Sequence, residues 1–268
     1  MGLVGLALPG CGGDDDGPEN PTAPPDAPVV RVPEDHPTIA AAVQAAAPGD
    51  TVSVAAGTYI ETLFVEKSLV IAGREPGGRT VLEMPRVRIV LDTGEHVEMR
   101  DLVFSDGDTV IAAELSGGSV SLAACSISHS VLGILCSGSG SVVLDDVAFV
   151  GIGVGAGTPH GAVDVSDTID LAVADCEFQA CLAGEPGVVR IVENATFEVL
   201  DSSFTDCDAD QAVVNVIDQA SGVIIGSTFA SCTPYTIRQR GDLLTVRDVS
   251  LIQAAAPAVA VGLGSRLA

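Results

Sequence analysis

The chain has 268 residues, 47% of them hydrophobic, enough to bury a large core, which excludes disorder throughout. The apolar content is aliphatic, with no Trp, 2 Tyr and 7 Phe, and its Val-rich make-up favours strand over helix. The 36 acidic residues against 12 basic ones give a formal charge of -24, which repels phosphate backbones and argues against a nucleic-acid partner.

Residues 1–11, "MGLVGLALPGC", form an apolar run too short to span a bilayer. The run resembles a bacterial lipoprotein signal ending in a lipobox, which implies a lipid on Cys11 and an address in the bacterial cell envelope, at the outer membrane or cell surface. Residues 12–30 are rich in Asp, Pro and Gly and are expected to be an extended tether holding the remaining domain, 31–268, off the membrane.

Residues 37–47 come next as a short amphipathic helix, with Thr38 placed to cap it, Ile39, Val43 and Ala46 on one face, and Pro48-Gly49 to stop it. The stretch "PTIAAAVQAAAPGDTVSVAAGTYIETLFVEKSLVIAG" resembles the opening segment of pectin-lyase-like β-helix proteins, including pectin methylesterases and NosD-type periplasmic proteins. That likeness implies a helix lying across the N-terminal mouth of a parallel β-helix, and it is silent on chemistry because enzymes and non-enzymes share it. Within it Asp50 is expected to bind a turn amide, and Glu61 reads as a solvent-facing charge at a strand end.

From residue 97 onward one pattern recurs: "VEMRDLVF", "VSLAACSI", "VVLDDVAF", "LAVADCEF", "FEVLDSSF", "GVIIGSTF" and "LTVRDVSL". These end on Phe104, Ile127, Phe149, Phe178, Phe204, Phe229 and Leu251. Each has the alternation of a half-buried strand, and further short strands lie between them. Repeats of 20 to 30 residues that hold strands and no helix must bury their apolar face on one another. The predicted fold is all-β, a right-handed parallel β-helix with a short N-terminal capping helix. Asp101, Asp146, Asp175, Asp201 and Asp248 stand three residues before the repeat's large apolar position, with Ala124 and Gly226 in the other two places, and Asx-type turn closure is the expected role.

The oxygen-rich segment 163–175 supplies the nearest thing to a metal set: Asp164, Asp167, Asp170 and Asp175, suited to calcium, with Arg190 one coil later. Residues 151–162 are an insertion and a candidate binding loop carrying His160. Arg74, Arg79, Arg86, Arg88 and Arg100 concentrate positive charge near the N-terminal coils, and their convergence on one groove would favour an enzyme. Cys181, Cys207 and Cys232 each follow the repeat's last apolar residue by three. They should stack, giving either a Cys181–Cys207 or Cys207–Cys232 disulfide or a reduced buried ladder.

The catalytic pieces of pectin methylesterases and polygalacturonases are not found, and the neighbours Asp145 and Asp146 would point to opposite faces of a strand. The expected function is therefore a lipid-anchored, non-enzymatic β-helix presenting a surface to polysaccharide, to another envelope protein or to calcium, with no cofactor required. The alternatives are a divergent polysaccharide lyase or carbohydrate esterase and, from the resemblance alone, a NosD-like accessory protein.

Overall fold

The computed structural model describes residues 28–74, 78–153, 161–184, 187–233 and 235–252, together with the backbone of 259–261 and 266–267. The chain winds as a right-handed parallel β-helix of about 9 coils, all strand pairings being parallel. Three faces are distinguishable. Face 1 stacks Thr51–Val54, Leu69–Gly73, His96–Arg100, Thr168–Ala174, Thr196–Leu200, Ser221–Ile225 and Leu243–Arg247. Face 2 stacks Gly57–Tyr59, Thr80–Glu83, Leu102–Ser105, Glu177–Gln179, Ser203–Thr205, Thr228–Ala230 and Ser250–Ile252. Face 3 stacks Thr62–Val65, Arg86–Asp92, Val163–Val165, Val189–Ile191, Val214–Val216 and Ile237–Gln239. Two long strands, Thr109–Ser128 and Leu132–Val150, bend through all three faces.

Alternation sends every second side chain inward, so each coil shelters the apolar side of the next. On face 2 the repeat's last residues form one continuous column in register, from Phe104 through Ile127, Phe149, Phe178, Phe204 and Phe229 to Leu251. Four of the rings stack nearly parallel, with centroids 4.9, 4.4 and 4.5 Å apart. Such pairs add about 0.5–1.5 kcal/mol each beyond the area they bury. Phe197 lies off this column and needs Gly222 beneath it. A Cβ on Gly222 would stand 2.1 Å from the Phe197 carbonyl and 2.6 Å from its ring.

The corner between faces 1 and 2 explains the aspartate row. Asp101, Ala124, Asp146, Asp175, Asp201, Gly226 and Asp248 all adopt φ between 46° and 66°. The chain turns on one left-handed residue per coil, a conformation that Asp and Gly tolerate better than other residues. This corrects the Asx-turn expectation: among the described residues none of these five carboxylates closes a turn by accepting an amide, and the backbone bend is what selects them. A second left-handed row, Met84, Asp106, His129, Gly151, Ala180, Asp206 and Ser231, follows face 2. At the corner between faces 3 and 1, Asp167, Glu193 and Asp218 do the same.

The helix Ile39–Ala45, shorter at both ends than the expected 37–47, covers the N-terminal mouth; Ile39, Val43 and the capping Ala46 are buried as the spacing predicted, and Ala42 is buried with them. The Thr38 hydroxyl accepts the Ala41 amide at 3.1 Å, and Asp50 accepts the Ala47 amide at 2.7 Å. Glu61 differs from expectation: its two oxygens accept the amides of Ile39 and Ala40 at 3.1 and 2.8 Å, closing the helix N-terminus. Lys67, the one lysine in the chain, donates to the carbonyls of Gln44 and Ala46 at the other end. Both charges suit the helix dipole. The strand Val29–Val32 adds an outer edge to face 1, and that edge is closed locally: the Arg31 amide donates to Asp35 at 2.7 Å while the Arg31 carbonyl accepts from Asp35 and His36.

Candidate functional site

Face 3 changes character along the axis. In the N-terminal coils its connections from face 2 are short, as in 84–85 and 106–108. In later coils they lengthen to 151–162, 180–188, 206–213 and 231–236. Two of these connections pair as a small parallel ladder, Leu182–Ala183 with Asp208–Ala209, which continues to Thr233. A wall therefore runs beside the C-terminal half of face 3.

Beside the wall stands a column of alternate-position residues, Leu135, Asp164, Arg190, Asn215 and Arg238, in register on successive coils, of which Leu135, Arg190 and Arg238 reach solvent. Asp164 is buried, and both of its carboxylate oxygens accept from Nη1 of Arg190, at 2.8 and 3.1 Å. The Arg190 side chain is 33% exposed and keeps its remaining donors for other partners. Asn215 is fully buried. Arg238 lies two coils from Arg190, about 10 Å at the spacing of stacked strands. Arg240 is two residues further along the chain, past the buried Gln239, and is exposed.

Among the described residues neither Arg238 nor Arg240 has an ion-pair partner, in a chain with three acids for every base. Burial, followed by the neighbouring Arg240 guanidinium, pulls Arg238 below the ordinary arginine range. Two unneutralised cations on one wall-flanked strip make a local positive site on an acidic molecule. Charge totals concealed this site, and the signal was the alternation of "IRQR", which points Ile237 and Gln239 inward and both arginines outward.

No protein-family model matches the chain, and no curated protein matches its sequence. It is similar to the crystal structure of an alginate lyase from Paenibacillus sp. str. FPU-7, with a TM-score of 0.55 and 13% identity over 83% of this chain and 93% of that one. It is also similar to Pantoea stewartii WceF, described as a glycan biofilm modifying enzyme with a bacteriophage tailspike-like parallel β-helix fold (TM-score 0.44, 13% identity, 79% of this chain, 33% of that one). A third match is ORF18 of Geobacillus virus E2 (TM-score 0.43, 12% identity, 82% of this chain, 52% of that one). The likeness is one of fold.

The calcium set expected from the sequence does not assemble. Asp164 is held by Arg190 on face 3, Asp167 sits at the next corner accepting the Gly138 amide at 2.8 Å, and Asp170 faces outward on face 1, where it accepts from Thr196. Asp175 is a left-handed residue at the corner between faces 1 and 2. Among the described residues no three His, Cys, Asp or Glu side chains are placed to share a metal ion. The physical reason is that a coil turns between faces within three to five residues, so neighbours in sequence point in different directions. Glu193 stacks on Asp167, whose side chain holds its carboxyl above the usual carboxylate range.

The N-terminal arginines do not converge either. Arg74 pairs with Glu34 at 2.8 Å, Arg79 lines a groove at the first corner with Asp101 and Asp146, Arg88 on face 3 pairs with Glu114 and lies 5.7 Å from the Phe64 ring, and Arg100 on face 1 pairs with Glu98 at 3.2 Å. His96 lies between the hydroxyls of Ser119 and Ser121, at 2.9 and 3.2 Å from its two ring nitrogens. Cys181 and Cys207 carry free, buried thiols. Cys11 and His160 lie outside the described residues.

Face 1 also carries a shallow groove, about 480 Å³, over Ser141, Val143, Asp170, Thr196 and Glu198. Its charge is negative, opposite in sign to the strip on face 3.

Proposed function

We propose that this protein is a lipid-anchored, non-catalytic β-helix of the bacterial envelope that binds an acidic polysaccharide along the C-terminal half of face 3. The observation that carries the reading is a pair of unneutralised guanidiniums beside the loop wall: Arg238, in register with the partly exposed Arg190 two coils away, and Arg240, two residues beyond Arg238 past the strand end. Guanidinium forks suit carboxylates on a sugar chain, and a polymer lying along the axis meets one coil after another. Elsewhere the net charge repels a polyanion, so the strip also sets the register of binding. Arg190 is neutralised by Asp164 and serves as a positioned donor in this reading. The alginate lyase named above acts on a polysaccharide, which accords with a glycan ligand. Cys11 supplies the anchor and the residues between it and the strand Val29–Val32 the reach, so the expected tether of 12–30 is shortened by the first two residues of that strand.

The test is calorimetric titration of the full chain with an oligomeric uronate, with and without calcium. The expected result is calcium-independent, salt-sensitive binding that weakens at least tenfold in the double variant Arg238→Ala, Arg240→Ala. Unchanged binding in that variant would remove the reading. So would an absorbing unsaturated uronide product, which would put the lyase alternative in its place. In the same preparation the lipidated chain should partition into the detergent phase and Cys11→Ser should not.

A further inference from the structure

The six cysteines within 31–268 are buried and carry free thiols. Three of them form a separate group. Cys181, Cys207 and Cys232 each follow a left-handed corner residue, Ala180, Asp206 and Ser231, on three successive coils. They directly precede the ladder Leu182–Ala183, Asp208–Ala209 and Thr233 that walls face 3. The Asp208 amide donates to the Cys181 carbonyl at 2.9 Å and the Thr233 amide to the Cys207 carbonyl at 3.0 Å, so the coils are tied together at this point.

The side chains repeat as well. Each thiol donates to the carbonyl of a phenylalanine on the preceding coil: Cys181 to Phe149, Cys207 to Phe178 and Cys232 to Phe204, at 3.5, 3.4 and 3.5 Å. The three thiols neighbour one another in order along the stack, with Cys207 between the other two. Stacked positions on neighbouring strands lie about 4.8 Å apart, inside the Cα separation of about 4.4–6.8 Å that a disulfide accepts. The remaining three cysteines have no such neighbour: Cys125 and Cys176 are separated by Val147, and Cys136 stacks between Ala113 and Val165.

We propose that Cys207 is the branch point of an intramolecular disulfide, bonding to Cys181 or to Cys232 but never to both, and that the bond staples the wall beside face 3. The reaction is exchange with a small-molecule disulfide oxidant such as oxidised glutathione. One protein thiolate attacks the oxidant's S–S bond, forms a mixed disulfide and expels one oxidant thiolate. The second protein thiolate then displaces the other. The protein gives up two protons and two electrons, and the oxidant leaves as two thiols. Because the thiols are buried, exchange takes place before the C-terminal coils close or when they open. Any effect of the staple on polysaccharide affinity rests on the functional reading above, but the bond itself does not.

The experiment counts thiols. The chain in a Cys11→Ser background is refolded in a glutathione redox buffer, denatured, alkylated and weighed, and its peptides are mapped. Two of the six domain thiols should be protected. Cys181→Ser and Cys232→Ser should each still protect two, through the branch that remains, while Cys207→Ser should protect none and the control Cys125→Ser should protect two. Six reactive thiols in the starting chain, or protection that survives Cys207→Ser, would overturn the proposal. Should Cys207→Ser fail to fold, the peptide map of the starting chain decides: a link that omits Cys207 refutes it.

Discussion

At the scale of the residue, the left-handed corner is the most constrained position in each coil. Of the seven residues that turn the chain from face 1 to face 2, Ala124 alone has a Cβ and no polar side chain, at φ 50°. A residue with a Cβ in this conformation costs about 1–2 kcal/mol, part of which glycine gives back in unfolded-state entropy. Ala124→Gly should therefore raise stability by about 0.5–1 kcal/mol, measured as a higher midpoint in urea. An unchanged or lowered midpoint would show that the corner is not strained. The spacing of the aspartates was legible in the sequence, but the reason for them was not, because Asx turns and left-handed bends select the same residues. Phe197 with Gly222 was hidden for another reason: each replaces the aliphatic residue that opens the other repeats, but only the stacking of strands 25 residues apart shows that the large ring and the missing side chain meet.

At the scale of the element, the N-terminal helix is too short to be stable by itself and is held by side chains from elsewhere. Its seven residues are closed at one end by Thr38 and Glu61 and at the other by Lys67. The sequence showed the helix, its cap and its buried face. It did not show the role of Glu61, which lies 22 and 21 residues from the two amides it holds and became readable only once the following coil was in place. Glu61→Ala leaves two amides without their acceptor and should cost about 1–2 kcal/mol. Faster hydrogen exchange at Ile39 and Ala40 should accompany the loss, and unchanged exchange there would show that Glu61 does not cap the helix. The wall of face 3 is the converse case: its ladder strands are two residues long, and no sequence period marks them.

At the scale of the whole molecule, a uniform scaffold carries faces of opposite sign. The column of phenylalanines was predictable because one register repeats seven times, and the structure stacks those residues in that order. The candidate site was far less legible. A charge of -24 argues against any polyanion, and only the inward and outward alternation of residues 237–240 reveals that Arg238 and Arg240 project together. Clusters inferred from closeness in sequence, such as Asp164 with Asp167 and Asp170, dispersed because each coil turns two corners within a few residues. The most direct measurement is a crystal structure of the chain soaked with an oligomeric uronate. Sugar density is expected along face 3, crossing Arg190 and Arg238, with carboxylates on the guanidiniums. Density confined to the groove of Asp170 and Glu198, or an empty face 3 at saturating ligand, would contradict it.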